Sequence, residues 1–186
     1  MTENLTHPTQ WIVTERALHS SRHTELAIAQ VTLPDGVKFE QPVLRITPAA
    51  MCVVVDEENR VLMMRRHRFV MDRWMWELPG GYLDDPAEDP AACAAREAEE
   101  ETGWRPTLIE HLVSYQPMSG TADAPQHVFL GREPVYVAHE ITVDVNEAEQ
   151  ISWIPLAQAV SFIANNSLGS ASVIGLLAAR EHLGLR

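Results

Sequence analysis

The sequence is poor in cysteine and in positive charge. Cys52 and Cys93 are its only cysteines; they show no paired spacing, so no disulfide framework is expected. The opening "MTENLTHPTQ" lacks the basic-then-apolar pattern of a signal peptide, and a reducing cytoplasm is the expected compartment. Lys and Arg total 14 against 26 Asp and Glu, a formal net charge of −12. Surfaces that coat nucleic acid or bind anionic membranes need clustered cations, so neither partner is expected, and an anionic substrate needs local help. No apolar run approaches the length of a membrane span, and there is no repeat of fixed period or low-complexity tract. A soluble protein is expected.

What is present suits one globular domain with a small appendage: 186 residues, 46% hydrophobic and 22% charged. "WIVTERAL" (11–18), "ELAIAQVTL" (25–33) and "VKFEQPVLRI" (37–46) read as strands, with Pro34-Asp35-Gly36 as a turn. They predict a small N-terminal sheet over residues 1–47. The main domain, 48–186, begins with "AAMCVVVD" (49–56) and "RVLMMRRHRF" (60–69), which the pattern pairs as a hairpin. "TLIEHLVSY" (107–115), "QHVFL" (126–130), "PVYVAHE" (134–140) and "ISWIP" (151–155) predict a second sheet. Residues 156–166 and 170–183 carry helical spacing, with Ser170 placed to cap the second helix. The predicted class is α+β with a mixed sheet.

The densest run of charge is "EDPAACAAREAEEETGW" (88–104). Asp89 before Pro90 is a helix start and Gly103 a stop, which predicts a helix over 90–102. Ala91, Ala95, Ala98 and Thr102 fall on one stripe of small residues suited to packing on a sheet, while Glu97, Glu100 and Glu101 project from another side. Like charges at this spacing cost about 0.2–0.5 kcal/mol per pair, and the helix C-terminus repels them further. A cation is expected there. Carboxylate oxygens without thiolate or imidazole suit Mg²⁺, or Mn²⁺ as a substitute, completed by substrate phosphates. His67, His127 and His139 show no metal-ligand spacing. Trp74, Trp76 and Phe69 near this run offer faces on which a base could stack, yet aromatic residues at such spacing more often pack the core.

With Gly81 and Glu88, the run "REAEEETGW" (96–104) resembles the Nudix box. Six residues rather than five separate Gly81 from Glu88, so the loop before the helix is one residue longer than the family's. The resemblance implies an α/β/α sandwich with a mixed sheet and a metal-dependent hydrolase of nucleoside diphosphates linked to another group. It implies Glu97 and Glu101 as direct metal ligands, Glu100 as a direct or water-mediated one, and the Gly80 carbonyl as a further donor. Glu88 and Arg96 would brace the loop on the helix, with Gly81 and Gly103 shaping its ends.

The N-terminal strands, "VLMMRRHRFV", "WELPGG" and "EAEQISWIPLAQAVSFI" together resemble the ADP-ribose and nucleoside-diphosphate-sugar pyrophosphatase branch. That branch implies a homodimer formed through the N-terminal sheet. It also implies an arginine from Arg66 or Arg68 on the substrate; Arg65 points the other way along an extended strand. For the catalytic base it offers Glu147 or Glu149, with a box glutamate such as Glu100 as the alternative. The Gly- and Pro-punctuated loop 116–127 is a candidate pocket wall, with Asp123 and Gln126 as candidate contacts to sugar hydroxyls. Two rival readings stand beside this one: a house-cleaning nucleoside triphosphate pyrophosphatase, which the N-terminal strands count against, and a non-catalytic ADP-ribose-binding domain, which the complete set of box glutamates counts against.

Overall fold

The computed structural model describes residues 11–85, 87–137 and 150–185. They form two compact units: the strands up to Ile46 together with Met118–Asp123, and Thr47–Pro117 together with the chain from Ala124 onward.

In the first unit β1 (Ile12–Ser20), β2 (Thr24–Thr32) and β3 (Lys38–Ile46) form an antiparallel meander. The turn before β3 holds Gly36 at φ 88°, in the left-handed region glycine favours. The short strand β9 (Ala122–Asp123) pairs parallel to β3. Arg45 binds both Glu15 on β1 and Asp123 on β9, the latter at 3.2 Å, so one guanidinium ties three strands. β1 is solvent-exposed along its whole length, including Ile12, Val13 and Leu18.

The second unit is a layered α/β structure. β7 (Gly80–Tyr82), β4 (Ala49–Val54), β10 (Gln126–Tyr136) and β8 (Trp104–Tyr115) lie side by side in that order. β4 and β10 run parallel and the other pairs antiparallel. β11 (Gln150–Pro155), β5 (Arg60–Arg68) and β6 (Arg73–Glu77) make a second, antiparallel sheet.

β4 explains the layering. Its residues alternate in direction, and both sets are buried. Ala50, Cys52 and Val54 pack with Cys93, Ala94 and Ala98 of α1 (Pro90–Thr102). Met51 and Val53 pack with Leu176 and Ala179 of α3 (Ser170–His182). Helices therefore cover both faces of the central sheet. α2 (Leu156–Ser161) and a single 3-10 turn, Phe162–Asn165, lead into α3.

Four sequence expectations change. β4 and β5 are not a hairpin: beyond a single bridge between Val55 and Val61 they diverge into different sheets, because each has a longer hydrogen-bonded partner elsewhere. The later strands do not build a separate sheet. β8 and β10 extend the sheet of β4, while β11 joins β5. Residues 126–130 and 134–136 form one strand, carried past Glu133 at φ 51°. Ser170 is not the cap of α3; Gly169 holds that position without a side-chain bond, and Ser170 is the first helical residue.

Candidate active site

Local signals place α1 as its sequence dictates. Asp89 has extended backbone, and its carboxylate accepts from the Ala91 N–H at 3.2 Å. Pro90 takes the first helical position, and Gly103 closes the helix at φ 75° with its N–H on the Glu99 carbonyl. The buried stripe is Cys93, Ala94, Ala98 and Thr102; Ala91 and Ala95 are only half-buried, so the packed face is rotated from the predicted one. That rotation turns Glu97 and Glu101, one turn apart, toward the Gly80-Gly81 strand.

Glu101 is the more enclosed of the two. The Arg66 guanidinium donates to its Oε1 at 2.5 Å, and the Gly80 N–H donates to its Oε2 at 2.8 Å. Burial nevertheless raises its pKa above the ordinary carboxylate range, with Arg66 pulling the other way. Glu97 lies against Gly81, and its pKa is also raised by burial, opposed by Arg96. Glu100 is the outermost, with its side chain 58% exposed.

Arg96 binds three of the acids. It reaches Glu88 through Nε at 3.0 Å, and Glu97 and Glu100 at 2.7 and 2.9 Å. Glu88 thus holds the loop to the helix through Arg96, and these partners, Glu88 foremost, keep the guanidinium firmly charged. A cleft of about 470 Å³ lined by Asp84, Asp85, Ala87, Glu88 and Arg96 opens beside the lengthened loop.

Arg68 is committed elsewhere: its guanidinium forks onto Glu77, with Nε at 2.7 Å from Oε1. Glu77 was not singled out from sequence. Its signal lay in the β5–β6 register, which pairs Arg66 with Met75 and Met64 with Glu77 and so places Glu77 on the face of Arg66 and Arg68. Arg65 points the other way, over Trp74 at 5.2 Å. Trp76 stacks on Phe162 at the edge of the core, whereas Phe69 is exposed. Asp123 is in the first unit with Arg45, and Gln126 opens β10, where its amide oxygen accepts from the Tyr115 hydroxyl. Glu147 and Glu149 lie outside the described residues.

The structure thus gathers Gly80, Gly81, Glu88, Arg96, Glu97, Glu100, Glu101 and Arg66. Among the described residues no three carboxylate, imidazole or thiol groups converge as a finished metal cage; arginines hold the oxygens instead. The donors nevertheless fit a hard divalent cation. All are oxygens, Glu97 and Glu101 are largely screened from water, and Gly81 leaves open the space a β-carbon would take from the Glu97 carboxylate.

A mixed sheet between helices, with this carboxylate helix against a Pro-Gly-Gly strand, defines a phosphate-chemistry hydrolase class. The family model of the NUDIX domain matches residues 45–174, and the chain belongs to that family. It is a Nudix hydrolase, in a family that generally uses divalent metal ions. It is 48% identical over 167 residues to the CMP-5′-(N-acetyl-N-hydroxy-3-aminopropyl)phosphonate hydrolase of Streptomyces rubellomurinus, spanning 88% of this chain and 79% of that protein. It is 28% identical over 171 residues to the ADP-ribose pyrophosphatase of Mycobacterium tuberculosis, spanning 89% and 81%. A crystal structure of an ADP compounds hydrolase superposes with a TM-score of 0.79 at 17% identity, covering 96% of this chain and 97% of that one, which shows the shared fold. No helix of the described residues is long and apolar enough to cross a membrane.

Proposed function

We propose that the chain hydrolyses the anhydride joining a nucleoside 5′-phosphate to a second phosphorus centre, with ADP-ribose or a related nucleoside-diphosphate sugar as substrate. The products are a nucleoside monophosphate and a sugar phosphate. The observation that carries this reading is the juxtaposition of Glu97 and Glu101 on α1 with the Gly80-Gly81 strand. A divalent cation, Mg²⁺ or in its place Mn²⁺, held by Glu97, Glu101, Glu100 and the Gly80 carbonyl would neutralise phosphate oxygens and lower the pKa of the attacking water. The chain's own part is positional. Arg96 and Glu88 fix the helix to its loop, and Gly81 gives the Glu97 carboxylate its room. All four candidate substrate contacts have a partner in the structure, Arg66 through Glu101, but Arg66 has the best support because its buried Nε is left without one. The base that takes the water's proton is Glu147, Glu149 or Glu100.

A second reading of the leaving group is favoured by the relative at 48% identity, named for a CMP-linked phosphonate. The same bond-breaking would then release CMP and a phosphonate. Residues 1–47 are proposed to form a dimerisation element, since β1 presents Ile12, Val13 and Leu18 to solvent, and residues 48–186 the catalytic domain. The cytoplasm is the proposed compartment, in keeping with two free thiols.

The test is a hydrolysis panel with Mg²⁺ or Mn²⁺, offering ADP-ribose, nucleoside-diphosphate sugars, a CMP-linked phosphonate and nucleoside triphosphates, with products read by chromatography. Preferential cleavage of ADP-ribose or a sugar nucleotide supports the first reading, and of the phosphonate the second. Cleavage of triphosphates alone would replace both with a house-cleaning role, and ligand binding without turnover with a sensing role.

A further inference from the structure

Arg66 reaches the carboxylate helix from β5, and its contact does more than brace it. Glu101 has both oxygens engaged, Oε1 by Arg66 and Oε2 by the Gly80 N–H. The side chains of Arg66 and Glu101 are each only 12% exposed. Arg66 Nε is the one buried side-chain nitrogen or oxygen among the described residues without a hydrogen-bond partner. A buried donor left unpaired is unfavourable, and a phosphate oxygen is the acceptor a guanidinium fork matches best. Arg68 on the same strand is no competitor for that role, because Glu77 holds its fork. Arg66 therefore has one arm on a candidate metal ligand and one arm unused.

We propose that Arg66 is an exchangeable counterion. Its charge holds Glu101 Oε1 and opposes a divalent cation there. A phosphate oxygen of the substrate that takes up the guanidinium, and with it the buried Nε that has no partner, draws Arg66 off Glu101 and leaves that oxygen to the cation. Nucleotide and metal then bind with positive coupling, and by linkage each tightens the other equally. The inference rests on the Nudix hydrolase reading, and it assigns Arg66 a positioning role toward the metal in addition to its substrate contact.

The test measures Mn²⁺ binding directly, from the electron paramagnetic resonance signal of free Mn²⁺, without turnover. Wild type, Arg66→Gln and Arg66→Lys are titrated alone and with AMP or CMP, the nucleotide products of the two substrate readings. Arg66→Gln removes the opposing charge and is expected to bind Mn²⁺ about tenfold more tightly than wild type without nucleotide, and to gain less than wild type does when nucleotide is added. Arg66→Lys keeps the charge but loses the fork, so its affinity without nucleotide stays at the wild-type level while the gain on adding nucleotide shrinks. If Arg66→Gln folds yet binds Mn²⁺ no more tightly than wild type, Arg66 is a structural brace and the proposal fails. Should Arg66→Gln not fold, an undiminished nucleotide gain in Arg66→Lys overturns it instead. Absence of Mn²⁺ binding in all three proteins would remove the metal reading itself, and this proposal with it.

Discussion

Gly81 and Glu97 are in such close apposition that a β-carbon on the glycine would lie 2.5 Å from the Glu97 carboxyl carbon and 2.6 Å from each of its oxygens. The obstacle is the far end of a flexible side chain, which can give up its contact with Arg96 while the backbone stays in place. Gly81→Ala is therefore expected to fold with a near-wild-type Tm while swinging Glu97 out of place and losing at least about tenfold in kcat/KM. Its neighbour behaves differently. A β-carbon at Gly80 would meet the Ala50 carbonyl oxygen at 2.5 Å and Met51 Cα at 2.8 Å, which are backbone atoms of β4. Gly80→Ala should lower both Tm and activity. Thermal melts beside kinetics separate the two, and an equal loss of Tm in both variants would contradict the distinction.

Arg96 is expected to matter through its geometry as well as its charge. It divides one guanidinium among Glu88, Glu97 and Glu100, a task that needs a planar fork. Arg96→Lys can keep the charge but satisfies fewer acids, so it should retain only a minor part of the activity. Arg96→Gln, which leaves three neighbouring carboxylates without their cation, should lose about tenfold more. Steady-state kinetics of the two variants check the order; equal activity of Lys and Gln would show that the fork is not used.

The core of the sheet supplies a stability test remote from the carboxylates. Gly131 on β10 faces Cys52 and Pro106, and an added β-carbon would lie 2.6 Å from the Cys52 sulfur and 2.8 Å from the proline Cβ. Neither neighbour can swing away, since Cys52 is fully buried and the proline ring is rigid. Gly131→Ala should destabilise by about 1–3 kcal/mol, read as a lower urea midpoint at unchanged slope.

How much of this was legible depends on the range of the forces involved. The limits of α1 were, because Asp89, Pro90 and Gly103 act on their own neighbours in sequence. The meander of β1, β2 and β3 was legible for the same reason: short turns join strands of matching pattern. Long-range pairing was not. Nothing in "RVLMMRRHRF" says that β5 leaves β4 for β6 and β11, since hydrophobic alternation fits either partner. The buried stripe of α1 is legible in part: Ala98 and Thr102 lie on it and Ala91 packs at its edge, but Cys93 and Ala94 are also among its buried members, because alanines on every side leave the pattern without a clear face. Arg66 and Glu101 are 35 positions apart. Their union is a product of the fold, and a box read along the helix alone carries no trace of it.

The cysteines provide a pH test with a definite sign. Burial pushes the Cys93 thiol up to about 12, with Glu88 adding to the effect and Arg96 opposing it, and the fully buried Cys52 is raised further by desolvation alone. In the unfolded chain both thiols return to roughly 8.5. A group with a raised folded pKa contributes stability that is complete below its unfolded value and is lost as pH climbs toward the folded one. The folded protein keeps its protons where the unfolded chain gives them up, so rising alkalinity favours unfolding. Urea midpoints should therefore fall between about pH 8.5 and pH 11, and substituting both cysteines by Ala should flatten that decline even if it lowers stability at pH 7. A thiol-reactive dye at pH 8 gives the companion measurement. Native protein should label slowly at both positions and urea-unfolded protein rapidly, whereas fast native labelling of Cys93 would mean that its thiol is neither covered by the packing of α1 nor raised in pKa.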